Sequence, residues 1–136
     1  MNLTMAQIKA ALIAATQAIA YYDEKPIKDM KNIAAYHLQQ AAEKLIKIQI
    51  YAGSTVLNYA NLYTHNLEKL TLYADSLGLQ LDLPDYIGKN SLVLTSWEAG
   101  SRYDVGFQIR IDTLRRAYGE ILMWYDRLYA SGLRNA

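Results

Sequence analysis

The chain has 136 residues, no cysteine, 52% apolar and 20% charged side chains, and a formal net charge of +1. That length suits one domain, large enough to bury about two-thirds of its unfolded surface, and the composition excludes disorder. The missing thiols exclude disulfides and thiolate metal sites and fit a reducing cytoplasm, while the near-zero charge argues against a protein that coats nucleic acid.

Helical periodicity dominates. Thr4-Met5-Ala6-Gln7 reads as a capping box, in which the threonine hydroxyl accepts from a free amide and the glutamine reaches back. Ile8, Leu12, Ala15, Ile19 and Tyr22 follow at four-and-three spacing and predict a helix from residue 5 to 22. Lys9 and the alanine-rich stretch to Ala20 imitate a secretory leader. Thr16 and Gln17 interrupt that stretch, so the amphipathic helix is the better reading. No apolar run reaches the roughly 20 residues needed to span a bilayer.

Asp23-Glu24-Lys25-Pro26 breaks the first helix. A second stripe then runs through Ile27, Met30, Ala34, His37, Ala41, Leu45, Ile48 and Ala52 to Gly53, read as a C-terminal cap. This predicts a helix of roughly 25 residues, about 38 Å long. The next ten residues, to Tyr63, are open between a helical extension and a tyrosine-rich turn. Thr64 is the expected N-cap of a third helix through Leu67, Leu70, Tyr73, Ala74 and Leu77, stopped by Gly78. A shorter helix is expected from Pro84 or Asp85 to near Trp97, then a loop at Gly100 and Ser101. Asp104 reads as the N-cap of the last helix. Its stripe is Phe107, Ile111, Leu114, Tyr118, Ile121, Tyr125 and Leu128, closed by Gly132, a pattern suited to a bundle core or a dimer seam. The expected architecture is all-α and a single domain over residues 1–136: an antiparallel up-and-down four-helix bundle with a fifth short helix.

Several polar groups stand apart from these stripes. Tyr36, Gln40, Glu43, Lys44 and Lys47 lie off the apolar face of the second helix. Glu43 and Lys47 are spaced for an i, i+4 pair of about 0.2–0.5 kcal/mol. The strip reads either as a solvated face or as lysines set to meet phosphate. His37 falls on the apolar stripe and reads as a core histidine. His65 either shapes its turn or serves in hydrogen bonding and proton transfer. Two histidines without cysteine make no metal site, and no Gly-rich phosphate loop is present, so no metal and no cofactor is expected. Every lysine precedes every arginine, and it is the arginine fork that grips phosphate in a bidentate way. Arg102, placed before a helix start, reads as an anion grip aided by the free amides there, or as half of an ion pair with Glu43 or Asp104. Twelve tyrosines against one phenylalanine suit a protein interface or base stacking.

Three segments, in order and spacing, carry a likeness. They are Tyr36-His37-Leu38-Gln39-Gln40-Ala41-Ala42-Glu43-Lys44-Leu45-Ile46-Lys47, then Thr64-His65-Asn66-Leu67-Glu68-Lys69-Leu70, then Ser101-Arg102-Tyr103-Asp104. Together they resemble the HEPN domain family of small prokaryotic helical bundles, over nearly the whole chain. The resemblance implies a four- to five-helix up-and-down bundle that forms a homodimer in the cytoplasm. One branch of the family consists of metal-independent ribonucleases carrying Arg, four to six residues, then His. Here both histidines precede the first arginine, Arg102, so that motif is absent and no catalytic residue is expected. The other branch accompanies small nucleotidyltransferases. By resemblance it implies nucleotide or phosphate contacts from Lys44, Lys47, Thr64, His65, Arg102 and Tyr103. The expected function is therefore a non-catalytic protein that binds nucleotide or RNA and a minimal nucleotidyltransferase partner, in a pair of toxin–antitoxin type. The alternatives are a ribonuclease of altered site, using His65 with Arg102, and a structural dimeric interaction module.

Overall fold

A computed structural model of the chain describes residues 2–136. Six α-helices occur among them: α1 (Met5–Glu24), α2 (Lys28–Gly53), α3 (Leu67–Ser76), α4 (Asp85–Lys89), α5 (Ser91–Tyr103) and α6 (Ile111–Ala130). One 3-10 turn covers Tyr59–Asn61. No β-strand is found among the described residues, only a bridge between Thr4 and Asn135 that ties the two ends together. No helix is long and apolar enough to cross a membrane among the described residues.

The capping box forms as expected: Gln7 N donates to Thr4 Oγ1 at 3.1 Å, and Thr4 N donates to Gln7 Oε1 at 3.0 Å. Two amides that the first turn leaves free are thereby satisfied. Met5, Ile8, Leu12, Ala15 and Ile19 are buried, on a helix that packs against α2 and α6.

Helix α2 is the hub, in contact with α1, α3, α5 and α6. A helix with neighbours on several sides has no broad solvated face, and its buried set is correspondingly wide. It includes Ala34, Leu38, Gln39, Ala42, Glu43, Leu45, Ile46 and Ile50. The stripe read from the sequence is therefore only part of the truth. Ala34, Ala41, Leu45 and Ile48 are buried, Ile27 and Ala52 are exposed, and His37 is half-buried rather than in the core. Glu43, expected on a polar strip, is buried. Near the start of α2, Lys28 and Lys31 donate to the carbonyls of Val105 and Ile109, each at 2.8 Å, and hold the loop that leads into α6.

Several boundaries differ from expectation, each for a local reason. Gly53 is not a left-handed cap; it is the last residue of α2, and Ser54 in extended backbone caps it. A Cβ at Gly53 would stand 2.9 Å from Leu79 Cδ2, so the Leu79 side chain packs against the open side of the glycine. Gly78 and Gly132, with φ of 73° and 104°, do take the left-handed conformation after α3 and α6. Thr64 is not the N-cap of α3: Asn66 fills that place and accepts from Lys69 N at 3.0 Å. Thr64 Oγ1 instead accepts from Asn66 N at 3.1 Å, and Thr95 of α5 accepts from Leu67 N at 3.1 Å.

The single helix expected from Pro84 to Trp97 is two, broken at Asn90, and the second runs on through Gly100 and Ser101 to Tyr103. The expected loop at Gly100 and Ser101 is thus helix, and Asp104 is a C-cap rather than an N-cap. Asp104 turns the chain by accepting from Gly106 N at 2.8 Å. Phe107, assigned to the last helix by its spacing, lies in the loop with its ring over Gly100; α6 starts only at Ile111, after Arg110 at the N-cap.

The linker before α4 is fastened at Asp82. Gln49 accepts from Asp82 N at 2.8 Å and donates to its carbonyl at 3.1 Å, and the buried Trp124 Nε1 donates to the same carbonyl at 2.6 Å. Arg127 grips the Asp82 carboxylate with two donors at 2.8 and 3.2 Å.

Candidate site at the meeting of α2, the His65 turn and α5

Gln39, Glu43 and Lys47 recur every four residues and so form one line along α2. Glu98 and Arg102 form the corresponding line on α5. The turn carrying His65 lies between the two. The side chains of Glu43 and Glu98 are only 5% and 9% exposed, whereas that of His65 is 56% exposed. His65 Nδ1 donates to Glu43 Oε1 at 2.8 Å, and Nε2 stands 3.6 Å from Glu98 Oε1. Lys47 Nζ pairs with Glu43 Oε2 at 2.8 Å. Arg102 pairs with Glu98 Oε1 and also donates from Nε to the Glu98 carbonyl at 3.3 Å. Gln39 Nε2 supports the centre, donating to Glu43 Oε1 at 3.2 Å and to the His65 carbonyl at 3.0 Å, while Gln40 Nε2 donates to Gln39 Oε1 at 2.7 Å.

A buried carboxylate without partners would cost several kcal/mol. Here Glu43 accepts from three side chains, and Glu98 is held between Arg102 and His65. The result is a polarised arrangement. The negative groups lie inside, and an imidazole and a guanidinium lie toward solvent. The Arg102 guanidinium also sits over the ring of Tyr103 at 4.6 Å and over that of Tyr36 at 5.3 Å, a stacking geometry that arginine favours and lysine does not share. Nδ1 is committed to Glu43 and Nε2 faces Glu98, so both ring nitrogens look onto buried carboxylates while the ring itself stays exposed. An imidazole oriented by a carboxylate is a group suited to hydrogen bonding and to proton transfer.

Of the six site residues expected from sequence, Lys47, His65, Arg102 and Tyr103 are drawn together. Lys44 is not among them. It lies seven residues from His37, two turns along the same face, and its charge acts there. Burial first, and Lys44 second, hold the His37 imidazole below its ordinary pKa; the ring is edge-on to Tyr36 at 5.4 Å. Thr64 does not touch the ion network but lines a neighbouring cavity. Arg102 occupies the last turn of α5, so no free helix-start amides join it, and the anion grip expected at a helix start is not formed. Its ion-pair partner is Glu98, neither Glu43 nor Asp104. Glu98 and Gln39 were missed by sequence reasoning. The four-residue spacing from Glu98 to Arg102 was the available signal, hidden by ending that helix at Trp97. No three His, Asp or Glu side chains converge to hold a metal among the described residues.

Comparison with protein-family models, curated proteins and solved structures finds no match.

Proposed function

We propose that the chain is an antiparallel up-and-down bundle of the HEPN type, built on α1, α2, α5 and α6 with α3 and α4 alongside, and that it binds nucleotide without transforming it. The observation that carries this reading is the shared Glu98. One buried carboxylate pairs with Arg102 and stands 3.6 Å from His65, and both partners are exposed to solvent beside the exposed ring of Tyr103. Guanidinium, imidazole and phenol ring are the groups that meet phosphate and base in nucleotide recognition. Lys47 neutralises Glu43 from beneath rather than reaching for phosphate itself. A minimal nucleotidyltransferase, in a pair of toxin–antitoxin type, is the partner that would supply phosphoryl chemistry. Exposed Leu92, Val93 and Val105 on and after α5 provide apolar surface for a homodimer.

The test is thermal unfolding with and without each ribonucleoside triphosphate, in the natural chain and in Arg102→Ala. A ligand at about 100 times its Kd stabilises by about 2.7 kcal/mol, a rise of several degrees for a domain of this size. A rise that Arg102→Ala abolishes supports the reading; no rise with any nucleotide rejects it.

The pairing of His65 with Glu43 favours a second reading, an RNA-directed enzyme of altered site. It requires turnover of single-stranded RNA that His65→Ala abolishes. Binding with no turnover leaves the first reading standing.

A further inference from the structure

Next to the His65 turn lies an open cavity of about 540 Å³, walled by Asn61, Tyr63 and Thr64 on one side and by Lys69, Leu72 and Tyr73 on the other. The last three share a face of α3 by their spacing. Tyr63 is 77% exposed and Leu72 58% exposed, so a flat ring and an aliphatic side chain both stand in solvent with no packing role that accounts for them. The back wall is fixed, since the Tyr73 hydroxyl accepts from Asn58 N at 2.7 Å. Lys69 has no carboxylate within ion-pair distance among the described residues. The Asn61 side chain adds an amide that can both donate and accept.

Each wall requires something of an occupant. The Tyr63 ring and Leu72 call for a flat apolar face, Asn61 for a polar ring edge, and Lys69 for negative charge. Thr64 lines the cavity and His65 follows it directly in the chain, so the turn that walls the cavity is the one that carries the imidazole of the ion network.

We infer that this cavity takes the base of a nucleotide whose phosphates extend toward His65 and Arg102, an inference that rests on the nucleotide-binding reading above. Thr64 then belongs to the base side of the site and Arg102 to the phosphate side. Stacking on a tyrosine ring accepts every base, so discrimination among bases is weak.

Calorimetric titration of the purified chain with ATP, adenosine and inorganic tripolyphosphate separates the two halves. The natural chain binds ATP about tenfold or more tightly than tripolyphosphate. Tyr63→Ala, an exposed change that leaves the core untouched, removes that difference, and Tyr63→Trp keeps it. Lys69→Ala weakens ATP several-fold. Adenosine binding that Tyr63→Ala abolishes supports the base site even if tripolyphosphate does not bind; in that case only the phosphate half of the earlier reading fails. Equal affinity for ATP and tripolyphosphate, unchanged by Tyr63→Ala, overturns the base site and leaves the Arg102 reading intact. Binding of none of the three overturns both.

Discussion

His65 and Arg102 meet on one carboxylate oxygen, Oε1 of Glu98. The imidazole comes from a turn and the guanidinium from a helix end, so a single buried acid adds to the Leu67–Thr95 hydrogen bond in joining the two elements. Glu43 plays the matching part on α2, and through His65 the two acids are joined. The pattern of exposure decides its meaning: buried acids below, with a guanidinium and an imidazole above, present donor groups to solvent.

Glu43 is the more deeply committed of the two acids. Glu43→Ala strands the half-buried Lys47 ammonium and the buried Gln39 amide, a loss expected at about 3–5 kcal/mol. Lys47→Met leaves Gln39 and His65 on the carboxylate and should cost about 1–2 kcal/mol. Urea unfolding of the two variants measures this difference. Losses of equal size would mean that Lys47 alone holds Glu43 and that Gln39 and His65 contribute nothing.

Two helical glycines, Gly119 and Gly53, should respond differently to alanine. A Cβ at Gly119 in α6 would meet open space, with no neighbouring atom within 4 Å, so Gly119→Ala should stabilise by about 1 kcal/mol through helix propensity. Gly53→Ala would crowd the Leu79 side-chain tip, 2.9 Å away, which must rotate aside, so this change should gain less than Gly119→Ala. Melting temperatures of the two single variants check the difference; an equal or larger rise from Gly53→Ala would mean that Leu79 gives way without cost.

The long helices were legible because their cause is local. The Thr4–Gln7 box and the apolar period of α1, α2 and α6 can be read from neighbours in sequence; α1 and α2 stand where expected, and α6 does from Ile111 onward. The site was only half legible because its cause is tertiary. Glu43 falls off the apolar stripe by period, yet it is buried because α2 is wrapped by other helices. Gly100 and Ser101 carry the composition of a loop, yet Phe107 folds back over Gly100 and lets α5 continue to Tyr103. That one boundary hid Glu98, moved Arg102 from a helix start to a helix end, and changed its partner.

The pH dependence follows from groups whose burial favours the neutral form. Burial, then Lys44, lowers the His37 pKa from 6.5, so the unfolded chain takes up a proton before the folded one does. Stability present above pH 6.5 is therefore lost as pH falls below it, and His37→Gln should flatten that decline in melting temperature. Tyr51 behaves in the opposite sense. Burial, then Tyr59 and Tyr63, raise its pKa above 10.0, so stability present below pH 10.0 is lost as pH rises through the folded value. Its buried hydroxyl has no protein partner. Tyr51→Phe should therefore raise stability at neutral pH by about 1 kcal/mol and weaken the alkaline loss.

The turn that presents His65 depends on Asn66 rather than Thr64. Asn66 accepts from Lys69 N across the first turn of α3, and removing an N-cap of this kind costs about 1 kcal/mol. Thr64 accepts only from Asn66 N, outside the helix, and its loss should cost less. Asn66→Ala should also loosen the His65 backbone, whose carbonyl is the acceptor for Gln39, and so shift the imidazole resonances away from their Glu43-bound positions. Thr64→Ala should leave those resonances nearly in place. Melting temperatures with imidazole NMR on both variants test the assignment, and a larger effect from Thr64→Ala on both readouts would make Thr64 the cap and detach His65 from the start of α3.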